Sequence, residues 1–221
     1  MSYLLRGDRL YNAIDRGDYA KVKYLIEKGY NINKKYKHGQ LPLHRAASSI
    51  VGPIGRKVAD PCTAAKIAQL LIDNGAEVDA CSDTYLTPLH IASMHGNTKV
   101  AKVLLENGAN VNMQGDAKIT PLLFAVEAYN TNIDIVKILI SYGADCNLRD
   151  QWSDTPLQAA VMSENIEIVK YLLYYCANSS ETDENIRKAF ELAVNNNEND
   201  IAYLIKSYLR REIESGKQGE N

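Results

Sequence analysis

No stretch of this sequence approaches the roughly 18 to 20 apolar residues that a membrane span needs. The opening segment, Met1 to Asp8, holds no apolar run of signal-peptide length. A basic excess is missing as well. Lys+Arg 25 stand against Asp+Glu 27, which excludes a generic polyanion binder, so no nucleic-acid partner is expected. The four cysteines, Cys62, Cys81, Cys146 and Cys176, form no CxxC pair, and free thiols in a reducing compartment are the expectation. What is present is ordinary for a folded chain: 46% hydrophobic and 24% charged residues with a formal net charge of −2, which excludes disorder. The 221 residues are enough for one large domain or two small ones. These observations describe a globular chain expected in the cytoplasm or nucleus, with no membrane contact.

Charge is unevenly placed. Residues 1–40 hold nine Lys/Arg and four Asp/Glu, while the remainder holds sixteen and twenty-three. One end is basic and the other acidic.

A repeat organises the chain. Thr87-Pro88-Leu89-His90 recurs as Thr120-Pro121-Leu122-Leu123 and Thr155-Pro156-Leu157-Gln158, with Leu41-Pro42-Leu43-His44 as a weaker copy. The prolines are 46, 33 and 35 residues apart. A second signature keeps the same register, in Asn74-Gly75-Ala76-Glu77-Val78-Asp79, Asn107-Gly108-Ala109-Asn110-Val111-Asn112 and Tyr142-Gly143-Ala144-Asp145-Cys146-Asn147. Each copy reads as a helical hairpin. Proline is tolerated in a first helical turn, where its missing N–H would have no partner, and the preceding threonine accepts from an unpaired N–H there. Leu89, Ile91 and Ala92 follow in a short helix. A turn at Gly96-Asn97 leads into a second one, with Val100, Ala101, Leu104 and Leu105 at 3-and-4 spacing. Gly108 ends it, because glycine adopts the left-handed cap conformation most readily. The polar stretch from Val111 to Thr120 reads as a loop or hairpin reaching the next unit.

These motifs resemble the ankyrin repeat, a helix–turn–helix–loop unit of about 33 residues with a T-P-L-H-x-A signature. The resemblance implies an all-α ankyrin-repeat solenoid of helix-turn-helix units with connecting loops or β-hairpin fingers. Four internal repeats lie between N- and C-terminal capping units in a single domain. Residues 6–35 form the N-cap, followed by repeats 36–81, 82–113, 114–148 and 149–179. Residues 180–209 form the C-cap, and 210–221 a flexible tail. Degenerate, polar terminal units are expected where a solenoid must solvate one face. Repeat 36–81 carries an insertion, residues 48–63, whose Gly52, Pro53, Gly55 and Pro61 argue for an irregular loop between helices. Repeat 114–148 has two extra residues around Ala128 to Asn132.

Candidate chemistry is sparse. His44 and His90 lie in adjacent repeats without paired cysteines, so a metal site is not expected; the resemblance implies that they bond to the backbone of the neighbouring unit. Arg6-Gly7-Asp8 and Arg16-Gly17-Asp18 spell an integrin-type tripeptide, but Gly17-Asp18 sits at an interhelical turn. Gly52-Pro53-Ile54-Gly55-Arg56-Lys57 lacks the G-x-x-x-x-G-K-[ST] spacing of a phosphate loop. No nucleophile–base pairing and no acidic dyad stands out, so neither an enzyme nor a cofactor is expected. Asn112 and Asn147 match a position that asparagine hydroxylases modify in this family; loop capping is the plainer role.

The family binds partners through its inner helices and loop tips. Carried over by residue, the inner-helix positions are Ser48 and Ser49, Met94 and His95, Glu127 and Tyr129, and Met162 and Ser163. The tips are Lys34, Lys35, Tyr36, Lys37 and His38; then Asp83, Thr84 and Tyr85; then Asp116 and Lys118; and last Arg149, Asp150, Gln151 and Trp152. Trp152, the one tryptophan, is the first choice for a contact, since tryptophan buries a large rigid surface with one donor. Tyr85 occupies a glycine slot in its finger and extends that aromatic line. Met94 and Met162 offer an adaptable apolar patch. The basic first finger suits an acidic partner segment.

The implied function is a non-enzymatic module that recognises a partner protein, with the chain itself a monomer. Nineteen Asn, nineteen Ile, sixteen Lys and fourteen Tyr against nine Arg and two Phe point to A/T-rich codons, as in intracellular bacteria and large DNA viruses. That suggests a pathogen effector acting on a host factor, placed in the host cytosol. Two rival readings are an inhibitor of Rel-type transcription factors and a substrate adaptor for a ubiquitin ligase.

Overall fold

The computed structural model describes residues 9–48, 60–128, 132–176 and 180–216. Among them run twelve α-helices and no strand. They fall into two compact units, Met1–Gly143 and Ala144–Asn221.

The first unit holds α1 (Arg9–Asp15), α2 (Tyr19–Glu27), α3 (Pro42–Ala47), α4 (Pro61–Asp73), α5 (Pro88–Met94), α6 (Thr98–Glu106), α7 (Pro121–Glu127) and α8 (Ile133–Ser141). Each odd-numbered helix packs on the even one after it. The odd helices stack on one another in an inner row and the even ones in an outer row. The second unit repeats the plan with α9 (Pro156–Met162), α10 (Ile166–Cys176), α11 (Ser180–Asn195) and α12 (Asn199–Gly216): α9 packs on α10 and α11, and α12 packs on α10 and α11.

The threonine–proline starts work as the sequence implies. Proline fills the first turn of α3, α5, α7 and α9. Thr87 Oγ1 accepts from His90 N–H, while His90 Nδ1 accepts from Thr87 N–H at 3.1 Å. Thr155 and Gln158 make the same reciprocal cap, Gln158 Oε1 accepting from Thr155 N–H at 3.2 Å. Two orphan donors per helix start are satisfied this way. Outer helices α4, α6 and α8 end where Gly75, Gly108 and Gly143 take φ of 91°, 84° and 86°, the left-handed region that a side chain would strain.

The apolar residues of the 3-and-4 spacing form the core. Leu71, Val100, Ala101, Leu104, Ile135, Val136 and Leu139 of the outer row are fully buried, as are Leu89, Leu122 and Leu123 of the inner row nearly so or wholly. Asn97 joins the rows: its Oδ1 caps α6 at Val100 N–H, and its Nδ2 donates to Ala47 O of the preceding unit at 3.3 Å.

Three sequence expectations change. Cys146 and Cys176 are joined by a disulfide, so only Cys62 and Cys81 are free thiols. Residues 210–216 continue α12; Arg210, Arg211 and Glu212 favour helix despite their polarity. Pro61, Cys62 and Thr63 belong to the first turn of α4, which Asp60 caps by accepting from Cys62 and Thr63 N–H. The insertion is correspondingly shorter, and its residues 49–59 lie outside the described residues.

Candidate protein-interaction surface

Four polar fingers connect the repeats, and each is spanned by a backbone bond between residues four apart. Tyr36 N–H donates to Gln40 O, Ser82 to Leu86, Gly115 to Ile119 and Asp150 to Asp154, at 2.8 to 3.1 Å. Each tip carries positive φ: His38 at 59° with Gly39 after it, Tyr85 at 57°, Ala117 and Lys118 at 55° and 58°, and Ser153 at 71°. A second backbone bond lies inside each, from Gly39, Tyr85, Lys118 and Ser153 N–H to Tyr36, Ser82, Gly115 and Asp150 O, so these are tight turns, not the β-hairpins that the family resemblance allows.

The two motif histidines lock fingers to helices. Nδ1 of each is an acceptor in its own helix cap, from Leu41 N–H for His44 and Thr87 N–H for His90, so Nε2 carries the proton. His44 Nε2 donates to Leu86 O at 2.9 Å and His90 Nε2 to Ile119 O at 3.1 Å. Both rings are fully buried. Desolvation pushes both pKa values down, His90 to about 4, with the Leu86 and Ile119 carbonyls opposing it. The histidines are therefore inter-repeat ties. Among the described residues no group of three His, Cys, Asp or Glu is placed to hold a metal ion, and no helix is long and apolar enough to cross a membrane.

A ladder of Asn and Asp side chains binds finger to finger. Asn33 Nδ2 donates to Gly75 O and Asn112 Nδ2 to Gly143 O, while Asp79 accepts from Asn110 N–H. Asn147 Oδ1 accepts from Asn185 Nδ2 at 2.9 Å. Asn112 and Asn147 thus bridge to the next unit, beyond the loop capping read from sequence. Asp18, of the Arg16-Gly17-Asp18 tripeptide, accepts from Lys21 N–H and caps α2.

Against this frame the expected contact residues divide. Tyr85 is 67% exposed and Trp152 65% exposed, each on a finger fixed by its own backbone bonds. Lys35, Lys37 and Asp116 are exposed at their tips. Met162 is 46% exposed at the end of α9, and Ser163 beside it is exposed. Met94 and His95 are half-buried at the end of α5. Burial and the nearby Arg45 charge lower the pKa of His95. Ser48 donates to Arg45 O, and Arg45 pairs with Asp15. Tyr129 and Ser49 lie outside the described residues.

Asp150 is a correction. It is only 5% exposed, because Oδ1 accepts from both Trp152 and Asp154 N–H at 2.9 Å and so builds the turn from within. Arg149 is half-buried, donating to Ser153 O and to Asn185 Oδ1, which ties finger four to α11. Tyr36 is half-buried too, stacked on Tyr11 with ring centroids 3.7 Å apart. These three shape fingers more than they present contact area.

Sequence reasoning missed a tyrosine cluster. On α10 Tyr174 is 76% exposed, and Tyr175 packs against the rings of Tyr171 and Tyr174, with centroids 4.3 Å and 4.8 Å away. Its signal was available: Ile168, Val169, Leu172 and Leu173 occupy the buried stripe of α10, which leaves Tyr174 and Tyr175 off it. A cavity of about 10 Å³ beside Cys146, Cys176 and Asn185 has room for one water and no ligand.

The comparisons agree with this architecture. The family model described as ankyrin repeats (3 copies) matches residues 58–150 and 122–215. The transient receptor potential cation channel subfamily A member 1 homolog of Caenorhabditis elegans is 34% identical over 99 residues, or 40% of this chain. The matched region spans 8% of that protein's length. With paired helices stacked in two rows, histidine ties between units and a family match over most of its length, the chain belongs to the ankyrin repeat family.

Proposed function

We propose that this chain is a non-enzymatic module that binds a partner protein through its finger tips and the carboxyl ends of its inner helices. Ankyrin repeats are generally protein–protein interaction modules, and one observation carries the reading to this surface. Tyr85 and Trp152 hold two large rings in solvent on fingers whose backbones are fixed internally. A folded chain gains nothing from exposing such rings, whereas an interface gains rigid area at little entropic cost. In the first unit Lys35, Lys37, Met94, His95 and Asp116 accompany Tyr85; in the second, Met162 accompanies Trp152. The effector reading rests on composition, and the partner is taken to be a protein of the cytoplasm or nucleus.

Affinity purification from eukaryotic lysate, with a Tyr85→Ala/Trp152→Ala variant in parallel, tests this. A single protein captured by the wild type and lost by the folded variant supports it. Equal capture by both removes Tyr85 and Trp152 from the surface. Whether the captured protein is a Rel factor or a ligase subunit decides between the two rival classes.

A further inference from the structure

Cys146 and Cys176 occupy register positions that the other junctions fill without covalent chemistry. Cys146 stands where the earlier fingers have Val78 and Val111, and Cys176 where the outer helices end in Gly75, Gly108 and Gly143. Stacking sets these positions side by side in successive units. Asn112, next to Val111, reaches Gly143 O, just as Asn33, next to Ile32, reaches Gly75 O. In the second unit both neighbours are cysteine, and their Cα atoms lie 5.9 Å apart, a spacing that suits a disulfide. α10 also runs on through Cys176, the position at which α6 and α8 have already ended.

What this bond anchors is the root of finger four. Asn147 follows Cys146 directly and accepts from Asn185; Asn185 in turn accepts from Arg149, and Arg149 donates to Ser153 O beside Trp152. Both cysteines are half-exposed, so a thiolate in solution can reach them. The equivalent junctions between α4 and α6 and between α6 and α8 hold without a disulfide, so losing this one loosens a finger and leaves the repeat packed.

We propose that Cys146–Cys176 is a reversible redox clasp that sets the order of the finger carrying Trp152. This rests on the reading of that finger as a partner contact and names its regulation. The exchange is a two-electron step with a dithiol. One thiolate attacks a sulfur and forms a mixed disulfide; the second displaces the remaining cysteine. The dithiol gives two electrons and two protons and leaves as a cyclic disulfide, with both cysteines as thiols.

The test uses the full chain, with dithiothreitol as the dithiol. Thiol titration of the denatured protein should find two thiols after air or oxidised-glutathione equilibration, Cys62 and Cys81, and four after reduction. Trp152, the one tryptophan, reports on its own finger. Its time-resolved anisotropy should gain a fast local component on reduction, and trypsin should cut after Arg149 on the order of tenfold faster, because cleavage tracks the opened population. Cys146→Ser/Cys176→Ser should show the reduced signals from the outset and ignore dithiothreitol; Cys62→Ser/Cys81→Ser should respond as the wild type does. Four thiols after oxidation, or two with an unchanged Trp152 signal on reduction, overturn the clasp. A response retained in the Cys146→Ser/Cys176→Ser protein overturns it too. None of these readouts needs a partner, so their failure is separate from failure of the capture experiment.

Discussion

Lowering the pH should destabilise this protein through His90 by an amount the structure lets one work out. The ring is fully buried, with Nδ1 accepting from Thr87 N–H and Nε2–H donating to Ile119 O, so a second ring proton would place a charge away from solvent and displace the Thr87 N–H bond. Burial lowers its pKa from 6.5 to about 4. The sign follows from proton binding. Between those two values the unfolded chain holds a proton on this ring and the folded chain does not, so stability is complete above pH 6.5 and falls as the pH drops toward 4. At about 1.36 kcal/mol per pH unit the whole loss is about 3 kcal/mol, of which about 2 is reached by pH 5. His44 adds to it in the same direction.

Other groups also titrate in that range, so the assay compares the wild type with His90→Gln by urea unfolding at pH 7.5, 6.0 and 5.0. Gln158 shows that glutamine makes this cap, accepting from Thr155 N–H at 3.2 Å and Oγ1 at 3.0 Å. At pH 7.5 the variant should be less stable by about 1 kcal/mol, for the lost tie to Ile119. At pH 5.0 the order should reverse, with the variant ahead by about 1 kcal/mol, since glutamine does not titrate. A difference constant within about 0.5 kcal/mol across the three pH values would mean that His90 takes up its proton in the fold as it does in the unfolded chain, and the burial argument is wrong.

Leu104→Ala, at a fully buried site in α6, should cost about 2 to 5 kcal/mol in the same unfolding assay, and a loss under 1 would put Leu104 outside the core. Asp150→Ala removes the acceptor of two backbone N–H groups and should cost about 1 to 3 kcal/mol; an unchanged midpoint would return Asp150 to the contact surface. Trp152→Ala should shift stability by less than about 0.5 kcal/mol, as befits an exposed tip. Cys146→Ser/Cys176→Ser reopens a link spanning 30 residues and should cost about 3 to 4 kcal/mol on loop-closure grounds, measured as the urea midpoint against the oxidised wild type.

The sequence by itself determined the repeat, the helix starts at Pro42, Pro88, Pro121 and Pro156, and the stops at Gly75, Gly108 and Gly143. Each of these is decided within a few residues: a proline in the first turn, a side chain reaching back to cap it, a glycine taking positive φ. The outer-helix core stripe was legible for the same reason, because 3-and-4 spacing fixes which face a residue occupies. Trp152 and Tyr85 were legible as tip residues, since a finger's register follows from the motif beside it. Only the tertiary structure decided what happens where two units meet. Asp150 looked like a surface charge until its carboxylate proved to be the acceptor inside its own turn. Arg149 looked like its neighbour until Asn185, 36 residues away, took up its guanidinium. Cys146 and Cys176 each read as an isolated thiol; their pairing required laying one repeat on the next, where the asparagine beside the valine position reaches the glycine carbonyl of the following unit. The division is physical: helix starts and stops are settled by bonds that span three or four residues, whereas burial in a finger and bonding across a junction depend on groups the chain brings together only after the repeats have stacked.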